Sequence, residues 1–339
     1  MHGDFRQAND HPCAADRTEA TMSRWKQFKE RGVLMVFVGL CAVFSVLTPN
    51  FRQLTNLINI MRQISEISIA AVGMTYVIIA AEIDLSVGSV YGLSAIVAAT
   101  ILRSGLAGFP VPFAFLGALV VGAVFGLFNG IVTTKLKVPA FIVTLSVLAI
   151  ARGGVYGVTG GYAVSIFPKS ADPFFLIGES LGGVFPIQII IMIVFCIIAG
   201  IILSKTTYGF QIYATGGNKK AADLTGINTD RIKIISFVVC GFCSALSGLI
   251  ALAYLTSVHP SAGIGREMDI IAAVVVGGTY LYGGRGTILG TFIGAAIIGV
   301  VRNGMVLLSV PAYSQEATIG LVILIAVISD TLLRREKVQ

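Results

Sequence analysis

Residues 205–233 read KTTYGFQIYATGGNKKAADLTGINTDRIK, a polar break between two apolar runs that are each long enough to cross a bilayer. Five basic residues lie in it: Lys205, Lys219, Lys220, Arg231 and Lys233. Cytoplasmic loops of membrane proteins accumulate Lys and Arg, so the segment is expected to face the cytosol. Within it, Gly216-Gly217-Asn218 can turn and cap, Lys219 to Leu224 is a run with good helix formers at Ala221, Ala222 and Leu224, and Gly226 can end that run. The pattern predicts a helix of about two turns on the membrane face. Periodicity alone serves an ordinary solvated loop equally well.

The rest of the chain explains why such a segment exists. Of 339 residues, 55% are hydrophobic and 12% charged, against roughly 25% charged in soluble domains. The net charge of +7 is dispersed through breaks between apolar runs rather than gathered on one face with aromatics, which argues against a nucleic-acid partner. At about 20 residues per crossing, ten apolar segments emerge, near residues 33–49, 64–81, 87–103, 112–133, 139–158, 186–203, 234–255, 269–283, 287–303 and 316–333. The expected fold is therefore all-α and polytopic, with about ten transmembrane helices, some short or broken, and both termini cytoplasmic. That orientation puts 17 of the 24 Lys and Arg residues on the inner side.

The expected organisation is a cytoplasmic tail over 1–32, a membrane domain over 33–333 containing the 205–233 connector, and a cytoplasmic tail over 334–339. Met22 is an alternative start, and the run from Val33 to Pro49 lacks the small-x-small site of a cleaved signal peptide. Leu54, Leu57, Ile58 and Met61 recur at helical spacing among polar residues, predicting an interfacial helix on the outer face. Residues 159–185, rich in Gly, Pro and Ser, are expected to form an external loop.

The motifs Tyr208-Gly209, Ala214-Thr215-Gly216-Gly217-Asn218, Ala221-Ala222 and Gly226-Ile227-Asn228 resemble the cytoplasmic loop of the permease subunits of ribose-type sugar ABC transporters. The resemblance continues through Ile83-Asp84-Leu85-Ser86-Val87-Gly88-Ser89, Pro260-Ser261-Ala262-Gly263, Asp269 to Gly278, Gly283-Gly284-Arg285-Gly286 and Gly290-Thr291. It implies a translocation subunit of the bacterial inner membrane. A cytoplasmic ABC ATPase would dock through Tyr208, Gly209, Gly216, Gly217, Asn218, Ala221, Ala222, Gly226 and Ile227. A periplasmic or extracellular sugar-binding protein would deliver substrate, and a second permease copy, identical or paralogous, would complete the pathway within membrane lipid. On this reading no cofactor sits in this chain, and ATP-Mg is bound by the ATPase. Pentoses, hexoses, polyols and sugar-like molecules all fall within the family's range.

Ionisable groups inside hydrocarbon are costly, so Glu82 and Asp84 in AAEIDLSVGS need an explanation. Two readings stand for Asp84: a helix break whose amides and Ser86 and Ser89 hydroxyls satisfy the carboxylate at a pathway, or an N-cap before a membrane helix. Glu82 is a second candidate for the pathway. Arg152 also has two readings, a fork lining a polar path with Asn129 and Thr144, or snorkelling to the outer interface. A possible repeat pairs Gly73 to Gly88 with Gly278 to Gly290, each a crossing, a break and another crossing.

Other signals are negative. Cys240-Gly-Phe-Cys243 has redox or metal spacing but no second pair and no nearby His, so membrane packing is expected and no metal site. GGTYLYGGRGTILG lacks the Gly-Lys-Ser/Thr end of a phosphate loop, and close helix packing explains its glycines. No catalytic nucleophile arrangement is visible. The rival class is a stand-alone ion-coupled carrier, for which Glu82, Asp84 and Glu316 are the candidate titrating groups.

Overall fold

The computed structural model describes residues 32–104, 110–166, 173–182 and 185–335, without the side chains of 110, 173 and 329–335. The expected tails over 1–31 and 336–339 and parts of the 159–185 loop lie outside the described residues.

Helices dominate. In chain order they are α1 (Gly32–Leu47), α2 (Leu54–Ile79), α3 (Val87–Ser104), α4 (Pro110–Lys135), α5 (Ala140–Thr159), the short α6 (Pro173–Leu176), α7 (Ile187–Lys205), α8 (Thr207–Gly217), α9 (Lys219–Leu224), α10 (Thr229–Leu255), α11 (Arg266–Val276), α12 (Ile288–Leu307) and α13 (Ala312–Arg335). A 3-10 turn, Pro49–Arg52, precedes α2. Strand pairs are minor: β1 (Val164–Ser165) pairs with β4 (Ser257–Val258), and β2 (Ser180–Leu181) with β3 (Phe185–Pro186). Six helices, α3, α4, α5, α7, α10 and α12, are long and apolar enough to cross a membrane. With the other helices around them they make an all-α polytopic membrane protein, and each of the ten apolar segments read from the sequence contains one helix.

The 27-residue α10 is the centre of the packing. At 1.5 Å per residue it is about 40 Å long, so its two ends belong to opposite faces of the molecule. Its approach to α4 runs along Gly122, Gly126 and Gly130, where an added Cβ would come within 2.2, 2.3 and 2.8 Å of Gly241, Phe237 and Ile234. Small residues let membrane helices meet backbone to backbone, where dispersion replaces the hydrophobic drive available in water. Cys240 and Cys243 serve the same purpose against α2: they are buried free thiols facing Gly73, whose missing Cβ would lie 2.7 Å from the Cys240 Cα.

Two elements depart from the expected boundaries. Leu54 to Met61 does not form a separate interfacial helix; it is the first part of α2, continuous over 26 residues. Asn56 is the reason its polar start is tolerated, since its amide bonds the Phe51 carbonyl at 3.1 Å and Asn303 of α12 at 3.0 Å. The crossing expected over 269–283 stops at Val276, because Gly277 is followed by Gly278 with φ +87° and by the left-handed Gly283 and Gly284.

This shortened α11 has a counterpart in α3. Near Gly88 to Gly92 and Gly263 to Glu267 the two helices begin against each other: a Cβ on Gly263 would lie 1.9 Å from the Gly88 carbonyl oxygen, and one on Gly92 2.4 Å from that of Ala262. From this shared level α3 runs toward the C-terminal end of α10, packing with Leu249 and Leu252. The opposite course is taken by α11, whose Ile270 to Val275 pack with Met74, Val77 and Ile78 at the end of α2. The broken helices that meet are therefore those entered at 84–88 and 263–267, and the 278–290 segment of the expected repeat lies beyond the second of them.

Candidate translocation and coupling site

Before the N-terminal end of α10, the connector folds as two helices, α8 and α9, over residues 207–224. Thr206 caps α8 by accepting from the Gly209 amide, and Asn218 caps α9 by accepting from Ala221 at 3.1 Å. Gly226, with φ +85°, follows the α9 C-terminus, and Asn228 caps α10 through the Arg231 amide at 3.0 Å. The short helix at 219–224 is as the sequence pattern predicts. The helix at 207–217 is additional; its Thr and Gly content hides it, and tertiary packing supplies what propensity lacks.

That packing is specific. An added Cβ on Gly216 would lie 1.7 Å from the Ile79 carbonyl oxygen and 2.7 Å from the Gly284 amide nitrogen. Gly284 itself donates to the Ile79 carbonyl at 2.8 Å, and Tyr213 donates to the Gly286 carbonyl at 2.7 Å. Burial pushes the Tyr213 phenol up to about 12, so it remains a donor through the physiological range. The C-terminal half of α8 thus rests on two turns at once: 79–86, which leads into α3, and 277–287, which follows α11.

The nine residues singled out for docking divide between the inside and the surface of this segment. Gly209, Gly216 and Ala222 are buried, Ala222 being only 4% exposed, and Tyr208 and Ile227 are half-buried. Gly217, Asn218, Ala221 and Gly226 are exposed. Ala222 therefore packs beneath α9 rather than presenting itself, because its methyl lies on the face turned toward the bundle. Sequence reasoning missed the two apolar side chains that do stand clear, Leu224 at 90% and Phe210 at 72% exposed.

The polar residues of the expected pathway form separate groups. Asp84 is 1% exposed and makes an Asx turn, accepting from the Ser86 amide at 2.9 Å and from the Ser86 hydroxyl. It lies three residues before Val87, the first residue of α3, and its bonds go to Ser86 rather than to amides within the helix, so it does not cap α3. Asn129 of α4 donates to the Ser86 hydroxyl at 3.0 Å and to both Asp84 oxygens at 3.4 Å, while Thr144 of α5 reaches the Ile83 carbonyl at 3.5 Å. Glu82 turns the other way, forming an ion pair with Lys233 of α10 whose side chains are 18% and 11% accessible. Breaking so enclosed a pair from one side leaves a charge uncompensated, at about 3–5 kcal/mol.

Arg152 neither snorkels nor joins Asn129 and Thr144. Its guanidinium turns inward and donates to the Pro260 and Ala262 carbonyls at 3.2 and 2.8 Å, holding the strand-to-helix connection before α11. Backbone carbonyls that no helix satisfies need a donor at membrane depth, and the guanidinium supplies it.

A charged layer that the sequence reading did not name lies where α3 and α11 meet. Glu66 of α2 accepts from Arg266 at 3.1 Å and from the Tyr91 hydroxyl at 3.5 Å, and its own carbonyl accepts from Ser247 of α10 at 2.8 Å. One turn along α11, Asp269 accepts from Arg302 of α12 at 2.9 Å, and Arg302 also reaches Glu316 of α13 at 2.9 Å. The available signal was a carboxylate in the apolar run ISEISIAAVG; its partner 200 residues away carried none. Glu316, a candidate titrating group for a carrier, is thus tied to a cation at the edge of α13. Among the described residues no three His, Cys, Asp or Glu side chains are grouped to hold a metal.

Comparison with known proteins agrees with this architecture. Residues 56–327 match the family described as "Branched-chain amino acid transport system / permease component". The chain is 42% identical to a ribose import permease protein of Haemophilus influenzae, over 91% of this chain and 95% of that one. It is 43% identical to the ribose import permease protein of Escherichia coli K12, over 89% and 93%. A xylose transport system permease protein of Haemophilus influenzae is 34% identical, over 88% and 95%. No solved structure gives a significant match. With a family match across most of its length and relatives near 40% identity along nine-tenths of it, the chain belongs to the ribose-type ABC importer permeases, as a multi-pass transmembrane subunit of the bacterial inner membrane.

Proposed function

We propose that this permease carries a sugar or sugar-like solute inward, driven by ATP hydrolysis in a separate cytoplasmic ATPase that docks on α8 and α9. The observation that carries the coupling is the seat of Gly216 on Ile79 and Gly284, because it joins the one segment to the turns beside both broken helices. The relatives are named for ribose and for xylose, so the sugar class is what they share, and it supports that substrate class here. Leu224 and Phe210 supply the exposed apolar anchors of the docking surface, with Gly217, Asn218 and Ala221 beside them.

The ten helices are read as ten crossings, with both termini and the α8–α9 segment cytoplasmic. Two permease chains pair around the pathway, and a binding protein on the opposite face delivers substrate to it. ATP-Mg acts in the ATPase pair; this chain supplies no hydrolytic group. Closure of that pair displaces α8, and the displacement passes through the 79–86 and 277–287 turns to α3 and α11. Two packings of these two helices then alternate, which is the rocking of broken helices about a mid-membrane level seen as a general transporter plan. The Glu82–Lys233 pair closes the coupling end in the present packing.

Reconstitution tests the reading. Vesicles containing the permease with its ATPase and binding protein should accumulate labelled D-ribose or another pentose only when ATP is supplied on the α8–α9 side. Uptake driven by an ion gradient through the permease alone would instead establish the stand-alone carrier.

A further inference from the structure

A cavity of about 430 Å³ opens where α3, the C-terminal end of α10 and the 257–266 connection come together. We propose that it is a reception site, one per chain, in which a neutral polyhydroxylated solute the size of a monosaccharide is held before α3 and α11 move. The proposal rests on the importer reading and adds to it a location, a ligand charge and named contacts.

Four observations carry it. First, the position: the cavity is lined by Leu252 and Leu255 of α10, near the opposite end of that roughly 40 Å helix from the α8–α9 segment, and it descends to Tyr91 and Arg266 at the level where α3 and α11 begin. Second, the size: 430 Å³ lies within the range of small-molecule sites, about 300–1,000 Å³, and exceeds what one sugar ring with its waters requires.

Third, the lining has two characters. Leu252 and Leu255 offer apolar surface to the C–H face of a sugar ring, whereas Ser257, His259, Ser261 and Arg266 offer hydroxyl, imidazole and guanidinium groups to its oxygens. These polar groups are already oriented: His259 Nδ1 and the Ser261 hydroxyl are 2.7 Å apart, and the Ser257 and Ser165 hydroxyls 3.1 Å. Fourth, the charge balance: Arg266 is the one guanidinium in the lining, and Glu66 behind it neutralises it at 3.1 Å. An anion therefore finds no net positive charge at the pair, whereas a neutral hydroxyl needs none and can accept from the remaining guanidinium N–H groups.

The wall is also built to hold its shape. Gly263 and Gly265 take φ +81° and +78°, β4 pairs with β1, and Arg152 fixes the Pro260 and Ala262 carbonyls from behind. Arg266 is the first residue of α11, so a ligand held against it touches the very helix that the coupling segment acts upon.

The complete transporter, with its ATPase and binding protein, allows a decisive test. In vesicles carrying Ser261→Cys, the rate of reaction with a membrane-impermeant maleimide should fall at least threefold in 100 mM D-ribose and be unaffected by 100 mM phosphate. Ser261→Trp should reduce ATP-driven ribose uptake at least tenfold while the loaded binding protein still stimulates ATP hydrolysis, a readout that a misfolded subunit would not give. Labelling that ribose does not slow, or that phosphate slows instead, overturns the assignment, as does wild-type uptake by Ser261→Trp. Absence of ATP-driven uptake in the wild-type complex would overturn the importer reading itself, so the two failures are distinct.

Discussion

Gly216 and Gly217 are neighbours with opposite surroundings. A Cβ on the first would overlap the Ile79 carbonyl, a backbone atom that cannot rotate away, whereas nothing lies within 4 Å of a Cβ on the second. Gly216→Leu should therefore lower the stability of the permease in detergent by about 1–3 kcal/mol, the range for overpacking, and lower its unfolding temperature accordingly. Gly217→Leu should leave that temperature close to wild type. Equal shifts would mean that α8 does not rest on the α2 terminus.

The same scale shows what residue identity alone reveals. Asp84, Ser86 and Asn129 stood out because polar groups in apolar runs demand partners, and the structure makes them partners of one another. Glu82 stood out too, but Lys233 was read as one more basic residue of the connector; the 151 residues between them hide the pair. The partners of Arg152 were hidden for a related reason. Snorkelling is the cheapest outcome for a lone arginine, and only the fold reveals the two carbonyls of 260 and 262 that make an inward course cheaper.

At the scale of elements, the decisive features are the short α11 and the α3 that begins against it. Hydropathy located both segments, and Gly277-Gly278 explains why α11 ends early. Hydropathy could not show that their first turns oppose each other, because that meeting depends on the connection over 257–265. Arg152 is the positioning residue for this connection. Each charged hydrogen bond it donates is worth roughly 1.5–3 kcal/mol, and every 1.4 kcal/mol or so is a factor of ten in an opening equilibrium. In Arg152→Ala, amide hydrogen exchange across residues 257–265 should quicken at least tenfold, with α12 unchanged. Unaltered exchange there would show that the β1–β4 pairing holds the connection unaided.

For the whole molecule, one line of contact joins surface to interior. The exposed α9 continues into α8, α8 rests through Gly216 on the turns at 79–86 and 277–287, and those turns adjoin α3 and α11, whose opposing starts frame the cavity above Arg266 and Glu66. All-α architecture, the apolar segments that become helices and the short helix at 219–224 were legible in the sequence, since hydrophobic length and capping residues are local properties. The charged layer of Glu66, Arg266, Asp269 and Arg302 was not, since its members come from three helices and each satisfies another across a long separation.

The central claim is that the α8–α9 segment faces the cytosol, where a separate motor can move it. Lys220, exposed at the start of α9, offers the direct measurement: Lys220→Cys in a chain whose five native cysteines are replaced, treated with an impermeant maleimide. The account predicts labelling in inside-out membrane vesicles and none in intact cells. Labelling from outside intact cells would contradict it.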